Sequence, residues 1–257
     1  MSSTARSIAV ITVATMLAAC GGSESGSGDD GSVSGRIGVF AASSLTDAFS
    51  DIGRAFADVH PSADVVLNFG GSSRLAAQIT EGAPADVFAA ADPVSMARVV
   101  GASDSTGRPV NVATNTSQII VEPGNPLGIE ALDDLAGPEL VVVFCAPQVP
   151  CGSYAAQVLD AAGVDVTPAS LEQNVKAVAT KVTSGEADAG IVYVTDVRAA
   201  GDAADGVTIP AGLNVTATYP MAVTADASNP VGGAAFVDFV RSQAGQEILE
   251  SYGFGPP

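Results

Sequence analysis

Three times along this chain a short apolar run gives way to small polar residues and then to a segment with helical spacing of apolar positions. The first runs from Arg36–Phe40 through Ala41-Ala42-Ser43-Ser44 to Leu45, Ala48, Phe49, Ile52 and Phe56, which share one helical face. The second passes from residues 63–69 through Gly70-Gly71-Ser72-Ser73 to a helix expected from Arg74, with Leu75, Ala76 and Ile79 on one side. The third passes from Leu140–Phe144 through Cys145–Gly152 to a helix over Ser153–Ala162, stopped by Gly163. A further helix opens on Asn174-Val175, carries Val178, Ala179 and Val182, and ends at Gly185. Strands alternating with helices predict an α/β fold with mostly parallel sheets. Each helix start leaves its first N–H groups without intrahelical partners and presents the positive end of the helix dipole. That is a means of holding an anion without a basic side chain. Ordinary helix caps look the same, so the recurrence carries the reading and no single junction does.

Further strands are expected at 86–90, 117–121, 189–194, 207–209 and 219–224. Helices are expected at 93–100, 132–135 and, as one long amphipathic segment, 233–251. Tyr193 falls near the C-terminal end of its strand, where open α/β sheets bind ligands.

The chain carries 10 Lys and Arg against 28 Asp and Glu, a formal net charge of −18. No basic patch interleaved with aromatics occurs, so nucleic acid is not an expected partner. The long-range field of such a protein repels anions, and an anion ligand must be held by local dipoles in a shielded pocket. At the N-terminus, Arg6 precedes an apolar segment, Ile8–Leu17, too short for an ordinary membrane span. It ends in Leu17-Ala18-Ala19-Cys20-Gly21, which resembles a bacterial lipoprotein signal; the alternative is a plain secretory peptide with an incidental Cys. By that resemblance residues 1–19 are a signal peptide and Cys20 carries lipid. Residues 20–35, rich in Gly, Ser and acid, form a flexible tether from an exported, membrane-anchored domain.

Five segments taken together resemble one family: AASSLTDAF (41–49), FGGSSRLAAQITEGAPADVF (69–88), VPCGSYA (149–155), NVKAVATKVTSGEADAGIVYVTD (174–196) and YGF (252–254). They are similar, in the same order, to the periplasmic molybdate-binding proteins of bacterial ABC importers. The resemblance implies a two-lobed type II periplasmic binding protein fold with a hinged ligand cleft. With crossovers near 113–116 and 217–220, residues 36–115 plus 219–257 would form the first lobe and 116–218 the second. It implies that Ser44 and Ser72 bind an oxyanion through hydroxyls, Cys151 and Val175 through backbone N–H groups, and Tyr193 through its phenol. Molybdenum would enter only as molybdate, with tungstate as its near equal, and no cofactor. The implied partner is an ABC permease, the implied state a monomer, and no enzymatic activity is expected. Donors alone suit a fully deprotonated tetrahedral dianion, which offers only acceptors.

Two residues depart from the family pattern. Cys151 stands where a small residue such as Ala is usual, and Arg74 where Gly or Thr is usual; Arg74 is expected to be solvated. With Cys20 lipidated, Cys145 and Cys151 are the remaining thiols of an exported chain, and a disulfide between them is expected. The lone His60, before Pro61 in a turn, is poorly placed for a Ser-His-Asp triad. The Gly-Gly-Ser-Ser element lacks the Gly-Lys-Ser/Thr of a phosphate loop. Asp47, Asp86 and Asp92 read as caps and turn formers. The alternatives are sulfate or another tetrahedral oxyanion on the same scaffold and, further off, an enzyme.

Overall fold

The first strand, β1 (Gly35–Ala42), pairs in parallel with β2 (Ala63–Gly70) on one side and β3 (Val87–Ala89) on the other. These and the elements below belong to a computed structural model that describes residues 33–102 and 107–257. The expected signal peptide, the lipidated Cys20 and nearly all of the expected tether lie outside the described residues; Gly35 is already in β1. Between these strands run α1 (Thr46–Val59) and α2 (Ser72–Thr80), and α3 (Pro93–Gly101) follows β3. Strand alternation divides the side chains between two faces. Val39, Ala41, Val87 and Ala89 share a core with Phe49, Phe56 and Phe236. Phe40, Phe88 and Ala90 share another with Leu75 and Met96. The Phe56 ring meets Phe236 edge-on at 5.3 Å.

A second half repeats the plan with β5 (Val142–Cys145), α4 (Pro150–Ala162), β6 (Ser170–Glu172), α5 (Val175–Thr183) and β7 (Ala189–Tyr193), where β5 pairs in parallel with both β6 and β7. Its core includes Ile119, Leu135, Val142, Phe144, Val158 and Ile191. The halves are joined by two long strands, β4 (Val110–Val121) and, after β8 (Asp205–Thr208), β9 (Thr216–Val223). Residues 110–116 of β4 run antiparallel to β9, and residues 117–121 turn to pair with β7 and β8. The sheet order is therefore β2-β1-β3-β9-β4-β7-β5-β6, with β8 on β4. Every strand followed by a crossover helix lies parallel to its neighbour of the same kind, and every antiparallel pairing involves β4 or β9.

Several local expectations shift. The helix after β7 was not anticipated. Val194, read as strand, starts α6 (Val194–Ala200), because Asp196 accepts the Tyr193 N–H and caps the turn. The single terminal helix is two, α7 (Pro230–Arg241) and α8 (Gln243–Ser251), broken at Ser242, whose extended backbone and hydroxyl cap restart the chain. α2 begins at Ser72 and α4 at Pro150, both earlier than periodicity suggested, since polar and Pro residues in a first turn carry no apolar signal. His60 ends α1, half-buried against Phe56 at 4.6 Å.

Candidate functional site

The small cleft between the halves is lined by Ala42 at the end of β1 and by Ser43 and Ser44 just after it, by Gly70–Ser72 and Ala91, and by Val149–Cys151, Asn174, Val175 and Tyr193. The structure thus brings together all five residues expected to hold an oxyanion, from positions 44 to 193. The Cβ that any other residue would carry at Gly71 would overlap the carbonyl oxygen of Gln173. Glycine here lets the two halves approach. A second approach is the ion pair between Lys176 Nζ on α5 and Asp47 Oδ2 on α1, at 2.6 Å. Asp47 is therefore not the cap its position suggested. Asp92 does cap α3, accepting the Ser95 N–H, and Asp86 accepts the N–H groups of Gly38 and Asn229.

Each donor is held by its local structure. Ser43-Ser44-Leu45 form a short 3-10 turn ahead of α1, so Ser44 is not that helix's N-cap, and no side-chain cap bond occurs there. Its hydroxyl instead lies 3.0 Å from the Tyr219 hydroxyl. Ser72 opens α2, and its Oγ accepts the Ala91 N–H at 3.0 Å, leaving the hydroxyl proton for the cleft. Cys151 and Val175 occupy the first turns of α4 and α5, where backbone N–H groups have no partner within the helix. Asn174 caps α5 through the Ala177 N–H, which keeps the Val175 amide pointed out of the helix end.

Cys145 and Cys151 are joined by a disulfide, Cα–Cα 5.7 Å, spanning the loop that leads into α4. Gly152 is required by the same loop, because a Cβ there would overlap the carbonyl oxygens of Cys145 and Ala146. Closing so short a loop stabilises the fold by about 2 kcal/mol on the chain-entropy model. It also fixes the backbone that presents the Cys151 N–H.

Tyr193 ends β7 and is 2% exposed, yet its hydroxyl has no hydrogen-bond partner. Burial first, then the neighbouring Tyr219, Tyr154, Asp196 and Asp92, pushes its phenol well above the ordinary value, so it is a donor throughout the physiological range. Asp196, wholly buried beneath it, has Oδ2 on the Tyr193 N–H and Oδ1 unpartnered. Burial raises its carboxyl to about 7, against the lowering effects of Lys176 and the Tyr193 N–H and with a further rise from Asp47. The lining carries no charged side chain. Arg74 is exposed on α2 and does not line the cleft. Among the described residues, no group of three or more His, Cys, Asp or Glu could hold a metal ion. The site presents hydroxyl and amide protons and no basic group.

The model of the bacterial extracellular solute-binding proteins matches residues 37–255. The chain belongs to that family. It is a family of solute-binding proteins and not of enzymes. This solute-binding protein is 42% identical, over 94% of its length and 93% of the relative's, to the molybdate-binding protein ModA of Mycobacterium tuberculosis H37Rv. Its fold matches the periplasmic molybdate-binding protein of Azotobacter vinelandii with a TM-score of 0.74 at 21% identity, covering 86% of this chain and 99% of that one. It also matches the sulfate-binding protein SubI of M. tuberculosis with a TM-score of 0.72 at 21% identity, covering 86% of each. The two-half α/β architecture of the solute-binding protein is that of the periplasmic binding proteins. Among the described residues no helix is long and apolar enough to cross a membrane.

Sequence reasoning missed Tyr219 behind Ser44, and Lys176 beside Val175. Lys176 sits in the quoted segment 174–196, but nothing local tells which residue of α1 it meets. Tyr219 sits in an extended apolar run that reads as ordinary strand.

Proposed function

We propose that this solute-binding protein captures molybdate, and tungstate equally, between its two halves and delivers it to an ABC permease. The carrying observation is the buried, unpartnered Tyr193 hydroxyl in a cleft lined by serine hydroxyls and helix-start amides and by no charged side chain. An unpaired buried hydroxyl costs free energy, and a tetrahedral dianion would relieve it. Ser44, Ser72 and Tyr193 would give hydroxyl protons, Cys151 and Val175 backbone N–H groups. Several convergent charge-assisted bonds are what burial of a dianion demands. The 42% identity to a protein named for molybdate binding supports this ligand. Lobes 36–115 plus 219–257 and 116–218 would close about it by bending at β4 and β9, held shut by the anion's better fit to the closed form. The protein would work as a monomer without cofactor, tethered by lipid on Cys20, and closure would be the state the permease reads.

Sulfate fits a donor-only site chemically, and the shared fold with a sulfate-binding protein keeps it as the second reading. Calorimetric titration of residues 33–257 with molybdate, tungstate, sulfate and hydrogen phosphate separates the two. Tight, near-equal binding of molybdate and tungstate with a weak sulfate response is expected. Preference for sulfate would transfer the function to that anion, and silence with all four would remove the oxyanion assignment.

A further inference from the structure

Tyr252-Gly253-Phe254 lies outside the cleft lining, yet the segment after α8 is built into the strands that join the halves. The Tyr252 hydroxyl donates to Asp51 Oδ2 on α1 at 2.8 Å. Gly253 turns the chain at φ 94°, a conformation that other residues rarely adopt. Phe254 then runs inward and is 5% exposed. Its ring meets Tyr219 of β9 edge-on at 5.3 Å, and Tyr219 in turn packs against Tyr193 at 6.2 Å. Arg198 of α6, in the second half, lies against the same turn, since a Cβ at Gly253 would come within 2.9 Å of its Nη1.

Gly255 completes the segment as a one-residue strand. Its N–H donates to the Thr114 carbonyl at 2.9 Å, and its carbonyl accepts the Thr114 N–H at 3.0 Å. Thr114 Oγ1 donates to the Pro256 carbonyl at 2.9 Å. Thr114 also faces Thr218 in β9, so Gly255 takes the opposite edge of β4. Two residues earlier Gln246 of α8 donates to the Val112 carbonyl at 3.0 Å. Three residues later Ser117 faces Tyr193, and β7 takes up the pairing. β4 is thus held on both edges at Thr114 by the first half, and from Ser117 on by the second. Between them Asn115 and Thr116 have a strand partner in β9 alone.

We propose that residues 252–256 are a strap on the hinge: Gly255 on Thr114, with Phe254 wedged behind Tyr219, confines the bend of β4 to Asn115 and Thr116 and limits how far the halves open without a ligand. This rests on the proposed closure of the halves about an oxyanion. A narrower range of openings leaves less to be lost on closure, because apparent affinity scales with the fraction of molecules already competent to bind. Phe254 and Gly255 are then positioning residues that act on the cleft without lining it.

The test is Gly255→Pro, which removes the N–H given to Thr114 and sets a ring against that strand while Phe254 stays in place. After thermal unfolding has shown the variant to be folded, X-ray scattering is measured with and without molybdate, and molybdate is titrated by calorimetry. The anion-free variant is expected to have a larger radius of gyration than the parent, and the molybdate-saturated variant the same one. Affinity is expected to fall about three- to tenfold, as the competent fraction shrinks. An anion-free radius equal to the parent's would overturn the proposal, whatever the affinity. So would a radius enlarged equally with and without molybdate, which marks local unfolding rather than wider opening. If Gly255→Pro does not fold, Thr114→Val removes only the hydroxyl bond to Pro256 and carries the same expectation and the same refutation. Parent protein that binds no tetrahedral anion would refute the oxyanion reading itself, while the comparison of anion-free forms still decides the strap.

Discussion

Lys176 and Asp47 are 129 residues apart in sequence and 2.6 Å apart in space, and their ion pair ties together the first turns of α5 and α1 beside two residues of the cleft, Val175 and Ser44. Their side chains are 33% and 44% exposed, so solvent screens the pair and its worth lies within ~1 kcal/mol. Its position matters more than its strength, because it joins an element of one half to an element of the other. Replacing Lys176 with Met is expected to weaken anion binding severalfold and to flatten its dependence on ionic strength, measured by titration at low and high salt. A salt dependence as steep as that of the parent protein would show that the pair has no part in closure.

Tyr193→Phe separates stability from binding. The hydroxyl lost has no partner in the cleft as it stands, so the anion-free protein should be no less stable, and up to ~1 kcal/mol more so, in urea unfolding. Molybdate affinity should fall roughly 10- to 100-fold, the range for hydrogen bonds to a charged group. Loss of both together would mean that the hydroxyl serves the fold.

Gly71→Ala addresses the approach of the halves. Gly71 has φ −64° and ψ 131°, values open to alanine, so the backbone bears no strain. The nearest atoms to the added Cβ belong to the Gln173 carbonyl and Val149, both of the opposite half. Taking up the added Cβ forces the halves apart, so binding is expected to drop by an order of magnitude or more. X-ray scattering should then show no compaction on adding molybdate. Unimpaired binding would show that the halves need not come this close.

Asp196 sets a pH dependence. Its carboxyl is raised to about 7 chiefly by burial, so between the ordinary carboxyl range and pH 7 the folded protein holds a proton that the unfolded chain has released. Stability from this group is present at low pH and is lost as pH rises through about 7, with a slope of at most ~1.4 kcal/mol per pH unit. A bound dianion disfavours the carboxylate further, so binding should release less free energy above neutrality. Asp196→Asn should flatten both profiles in urea unfolding and titration between pH 5 and about 8. A slope unchanged by this substitution would place the titration elsewhere.

The parts legible in the sequence are those whose cause is local. The junctions at Ser44, Ser72, Cys151 and Val175 were visible because apolar periodicity changes there from strand to helix. Ser44 was nonetheless misjudged in detail: it reads as a helix cap, and the structure gives it to Tyr219, 175 residues away. α6 went unseen because one Asp three residues after Tyr193 outweighed the β-branched run Ile191-Val192 that continues into Val194. The division of the terminal helix at Ser242 was equally hidden, since apolar spacing runs through the break. β4 proved 12 residues long where only its last five looked like strand, because the first seven, VNVATNT, hold neither an apolar run nor a regular alternation and are drawn into the strand by pairing with β9. Pairings across the two joining strands, and everything that depends on them, are set by tertiary contact and leave no periodic trace.

The chain has no Trp and four Tyr, and three of those, Tyr154, Tyr193 and Tyr219, stand in one edge-to-face row with ring centres 6.3 and 6.2 Å apart. The near-ultraviolet signature of the whole molecule therefore arises mainly from rings at the cleft. Absorbance and near-ultraviolet circular dichroism become a label-free optical readout of occupancy, built in by the same rings that pack behind the donors.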